Sequence, residues 1–193
     1  MTRDMATTWT PKELSELAGS IAEVGVRHML GSVPMPPEVH VLLGFLRELY
    51  SKGGVLLGEA EERVAELIKR VESDREQRER LLAMRKQFCS ARDKYELLAR
   101  VFEEVSESLE GDYKPLAAAI AGLMRVLLAQ CTPGWEQLPA EKKARVLAPL
   151  YMALHHLEAY RDTRRAYHAE AAETLALLAL TRLDEVGQEE PTN

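Results

Sequence analysis

Every seventh residue from Leu81 is apolar: Leu81, Phe88, Tyr95, Phe102 and Leu109. A second series, Met84, Ala91, Leu98 and Val105, interleaves with it at spacings of three and four. Together they draw one apolar face over four heptads, the pattern of a coiled-coil seam or a long bundle helix. Neither Pro nor Gly occurs in the 52 residues Glu59–Glu110. The pattern therefore predicts one helix from about 58 to 110, roughly 80 Å long at ~1.5 Å per residue. Helices of about 20 residues cannot cover that length. The cover must come from a second copy paired along the seam or from another long helix of the chain. The nine seam residues are the candidate interface, and a homodimer is the expected partner.

The rest of the chain is patterned for helix as well. Leu, Ala, Glu and Arg dominate, and no alternating Val/Ile/Thr run reads as a strand, so the expected class is all-α. Thr10-Pro11-Lys12-Glu13 and Pro36-Pro37-Glu38 are helix starts, and residues 1–57 read as an N-terminal helical pair. Val64, Leu67, Ile68 and Val71 begin the long helix. Glu72 to Arg80 then contains no apolar residue and reads either as a solvated length of the same helix or as a hinge; the continuous helix is the leading expectation because every residue in it tolerates helix. Gly111 and Asp112 are cap residues, and a very apolar helix follows over 114–130, with Leu116, Ile120, Leu123, Met124, Leu127 and Leu128. A second long helix is expected over 139–186, kinked at Pro149. Its apolar residues are Leu147, Leu150, Leu154 and Leu157, then Ala171, Leu175, Leu178 and Thr181. Residues 58–186 form the expected bundle or coiled-coil domain and 187–193 the expected disordered tail; the two long helices stand with three shorter ones, the N-terminal pair and that over 114–130.

Charge is distributed unevenly. Arg75–Lys94 holds seven basic and three acidic residues, and Pro139–His168 six and three. Val101–Asp112 holds five acids and no base. The chain as a whole carries −6, which argues against indiscriminate binding to nucleic acid or acidic lipid. No apolar run reaches the ~18 residues of a membrane span. Met1-Thr2-Arg3-Asp4 lacks the order of a secretory leader, so cytoplasmic residence is expected. Cys89 and Cys131 match neither a metal spacing nor a disulfide framework.

Motifs for catalysis are thin. No Glu-x-x-His occurs among the five histidines, and His155 and His156, being neighbours, point to different sides of a helix. His168 and Glu158 are ten apart, too far along the expected helix to share one ion alone. Glu59, Glu62 and Glu66 share a face but lack the second Glu-x-x-Asp row with which all-α nucleotide pyrophosphohydrolases hold Mg²⁺. There is no nucleophile elbow, P-loop or dinucleotide fingerprint. No metal and no cofactor are expected, and the chain reads as non-enzymatic.

Glu13–Gly19 followed by Ile21–Arg27 has the order of a helix-turn-helix, with one residue extra in the turn. With the long helix that follows Pro37–Leu57, this resembles regulators of the MerR type. The resemblance implies a DNA-binding head, a coiled-coil dimer and a C-terminal sensing domain. Residues 1–36 carry only three bases against four acids, whereas DNA contact draws on Lys and Arg. Nucleic-acid contact is therefore expected, if anywhere, along the basic middles: Arg78, Arg85 and Arg92 at spacings of seven, and Arg161, Arg164 and Arg165. Such a stripe would suit a small helical subunit of a ribonucleoprotein complex. The leading expectation is a helical interaction or assembly protein that dimerises through its long helix.

Overall fold

The computed structural model describes residues 57–188; the expected N-terminal helical pair, with its helix-turn-helix pattern, and the end of the tail lie outside them. Among the described residues the protein is all-α, with six helices: α1 (Leu57–Ser73), α2 (Arg75–Ser90), α3 (Arg92–Ser106), α4 (Tyr113–Ala129), α5 (Ala140–Thr163) and α6 (Ala166–Gln188). No helix among them is long and apolar enough to cross a membrane.

The segment expected as one helix from 58 to 110 is three helices. The first break is at Asp74, which takes an extended backbone (φ −90°, ψ 115°) and accepts a hydrogen bond from Gln77 N on its own side chain. Asp-x-x-Gln is a capping pattern, and here capping a new helix prevails over continuing the old one. The second break is at Ala91, whose N–H reaches back to the carbonyls of Phe88 and Cys89 while its own carbonyl starts α3. The chain turns at Gly111, at φ +62°, a backbone conformation that suits a residue without Cβ.

The core is built by α4, α5 and α6. α4 is apolar on almost every side, with Leu116, Ile120, Leu123, Met124 and Leu127 all buried. α3 lays Ala99, Phe102 and Val105 against it, and α1 lays Ala60, Val64 and Ala65 against α5. Each large side chain closed off in this way, such as Phe102, Ile120 or Leu150, contributes roughly 1.5–3 kcal/mol. α6 packs on both α4 and α5 with its alanines innermost. Ala169, Ala172, Ala176 and Ala179 are fully buried, whereas Leu175 and Leu178 are half-buried and Leu177 faces solvent. A Cβ built on Gly122 of α4 would stand 3.2 Å from Ala176 Cβ, so the two backbones approach closely.

The helix expected over 139–186 is also divided. α5 continues through the buried Pro149 and ends at Arg164, a left-handed residue (φ 57°, ψ 23°) whose N–H donates to Tyr160 O at 2.7 Å. That is a left-handed helix cap built without glycine. The polar stretch Glu72 to Arg80 thus contains the corner at Asp74, and the basic middle of the second expected long helix contains the corner at Arg164.

Ion pairs tie α1 to the C-terminal helices. Lys143 of α5 is buried, with Nζ 2.6 Å from Glu72 Oε1 and 3.2 Å from Glu136 O. Lys69 pairs with Glu141, and Arg182 of α6 pairs with Glu61. Arg182 also donates to Arg145 O at 3.0 Å.

Candidate interaction face

α2 stands apart from the bundle. Its Asp74 cap and the pairs Arg75–Glu79 and Arg80–Glu76, one turn apart, support the helix itself. None of its described side chains is fully buried. Leu81 and Phe88 are half-buried and Leu82 is 39 % exposed. On α3, Leu98 is half-buried and Leu97 is 47 % exposed. The same two helices carry exposed charges, basic on α2 (Arg78, Arg80, Lys86) and acidic at the end of α3 and just past it (Glu104, Glu107), while Glu103 pairs with Arg125 of α4 at 2.7 Å.

Contacts to the body gather at the C-terminal end of α2. Cys89 is disulfide-bonded to Cys131, with Cα atoms 5.6 Å apart, against the expectation of two unrelated cysteines. The two lie 42 residues apart, and the packing of α3 against α4 brings the start of α3, just after Cys89, beside the end of α4, just before Cys131. Arg85, one turn before Cys89, pairs with Glu136 at 3.2 Å. Phe88 stacks on Tyr95 across the Ala91 break at 4.6 Å between ring centroids. Arg85 Nε and Gln130 Nε2 are buried donors without a hydrogen-bond partner among the described residues.

The seam residues divide between two environments. Phe102 and Val105 lie in the chain's own core, and Leu109 packs against it. Phe88 and Tyr95 pack at its edge, while Leu81, Ala91 and Leu98 are half-buried, and Met84 lies within α2. The arginines expected to share one face do not remain together. Arg78 and Arg92 are exposed on different helices, and Arg85 is turned inward to Glu136. At the α5–α6 corner, Arg161 pairs with Asp162, Arg164 lies 5.7 Å over the Tyr160 ring, and Arg165 is exposed.

That corner also joins two histidines twelve residues apart in the chain. His156, 1 % exposed, has its Nδ1 3.0 Å from Nδ1 of His168. Burial first, then the positive charge His155 and His168 can carry, lowers the His156 pKa to about 4. Burial, then Arg165, lowers that of His168. The described residues contain no group of three or more His, Cys, Asp or Glu arranged to hold an ion. Comparison with protein families, with characterised proteins and with solved structures gave no match.

Proposed function

We propose that this chain is a non-enzymatic helical interaction protein that self-associates through the outer face of α2 and α3. The observation that carries the reading is the contrast between α2 and the rest. The other helices bury apolar stripes in a shared core, whereas α2 buries no described side chain fully and keeps Leu82 at the surface, as α3 keeps Leu97. Apolar residues set among charges suit a surface that meets another surface.

The occupant favoured by charge is a second copy. α2 presents Arg78 and Lys86, both exposed, and the segment at and beyond the end of α3 presents Glu104, Glu107 and Glu110, all exposed and with no base among them. An antiparallel pairing brings the basic helix of one protomer to the acidic segment of its partner. Charge reversal tests this. Lys86→Glu and Glu107→Lys each weaken self-association when alone in solution, and mixing the two variants restores a heterodimer. Failure of the mixture to associate better than either variant contradicts the antiparallel pairing.

A further inference from the structure

The same region carries a covalent clasp on a helix that little else holds. The ion pairs within α2 keep it helical but do not attach it to the bundle. Its attachment rests on the half-buried Leu81 and Phe88, on the Arg85–Glu136 pair and on Cys89–Cys131. Both ends of α2 are helix breaks, at Asp74 and Ala91, where the backbone already departs from the helix. The other half of the clasp is a fixed shelf. Cys131 N donates to Leu128 O at 3.0 Å, Trp135 N to Thr132 O at 3.2 Å and Leu138 N to Trp135 O at 3.1 Å, with the Trp135 side chain buried beneath. Neither cysteine is enclosed; both are half-buried, within reach of a small thiol.

We propose that reduction of the Cys89–Cys131 bond unlatches α2 as a unit, hinged at Asp74 and Ala91, and so switches off the α2–α3 association face. The reductant is a small dithiol. One of its thiolates attacks a sulfur of the bond, which breaks, and the departing cysteine leaves as a thiolate and takes a proton. The second thiol then displaces the other cysteine from the mixed disulfide. The protein gains two electrons and two protons, and the reductant becomes a cyclic disulfide. The release of α2 follows from its sparse packing alone; its effect on association rests on the function proposed above.

Hydrogen exchange followed by mass spectrometry, on the full chain with and without dithiothreitol, separates the two claims. The expected result is faster exchange in Arg75–Ser90 by about tenfold or more, with α4, α5 and α6 unchanged. The double variant Cys89→Ser/Cys131→Ser should exchange like the reduced protein without any reductant. Light scattering of the same samples should show loss of the dimer. Loosening of α2 without loss of the dimer supports the clasp and contradicts the association reading. Unchanged exchange in α2, exchange that rises equally through α4–α6, or two titratable thiols in protein purified and denatured without reductant would each overturn the clasp.

Discussion

His156 Nδ1 stands 3.0 Å from His168 Nδ1, one ring donating and the other accepting across the corner between α5 and α6. Only one of the two facing nitrogens can carry hydrogen while this contact lasts, so the pair requires at least one neutral ring. His155 and Tyr167 also make ring contacts with His156, and Arg165 bears on His168. A second charge at this corner therefore works against the join of the two helices.

Stability should fall on mild acidification. The His156 pKa is lowered from 6.5 to about 4 on folding, so below pH 6.5 the unfolded chain binds the proton more readily. The contribution is complete above the unfolded value and is lost as pH drops from 6.5 toward 4. The loss should reach about 2 kcal/mol by about pH 5, measured by urea unfolding. His156→Phe should flatten the dependence over that interval. An equal slope in wild type and variant would place the sensitivity elsewhere.

Replacing Gly122 tests the close approach of α4 and α6. Its Cβ direction meets Ala176 Cβ at 3.2 Å and Leu180 Cδ1 at 3.4 Å. Gly122→Leu should lower stability by about 1–3 kcal/mol through overpacking. Ala176→Gly in the same chain should recover part of that loss, as read from paired denaturation curves. Full tolerance of leucine would mean that the helices do not meet as closely as this.

How much of this was legible in the sequence depends on what each feature is made of. Apolar periodicity is local, so the helical class and the thoroughly buried α4 could be read directly. The corner at Asp74 also had a local signal, the capping spacing Asp74 to Gln77, outweighed by the helix tolerance of the surrounding residues. Ala91 and Arg164 had none, because alanine favours helix and arginine seldom caps one. On α6, leucine marks the hydrophobic side in sequence, yet the close contact selects Ala169, Ala172, Ala176 and Ala179. The Cys89–Cys131 and His156–His168 contacts belong to tertiary structure; on one straight helix the two histidines, twelve residues apart, would stand about 18 Å apart.

The buried Lys143 should respond unequally to the loss of either partner. Its Nζ lies 2.6 Å from Glu72 Oε1 and its side chain is 6 % exposed. Glu72→Gln leaves an ammonium in the interior without its counter-charge, whereas Lys143→Met removes the ammonium and keeps the apolar stem. Glu72→Gln should therefore cost about 1–3 kcal/mol and Lys143→Met less. Thermal denaturation of the two variants side by side decides this, and the opposite order would contradict the account of this pair.

Arg164 should accept glycine and refuse valine. Its φ of 57° is costly for a β-branched side chain and costs glycine nothing. Arg164→Gly should lie within about 1 kcal/mol of wild type, since the relief of backbone strain offsets the lost contact with the Tyr160 ring. Arg164→Val should lose about 1–2 kcal/mol. Equal stabilities for the two variants would mean that the corner does not use a left-handed cap.

Self-association through α2 and α3 is tested most directly by sedimentation equilibrium of the oxidised protein. Wild type should approach twice the 21.7 kDa chain mass as concentration rises. Leu82→Glu/Leu97→Glu should remain at the chain mass, with unchanged helical circular dichroism, because both leucines are exposed and the core does not use them. A wild-type mass of 21.7 kDa at every concentration, or a double variant that dimerises as well as wild type, would contradict the account.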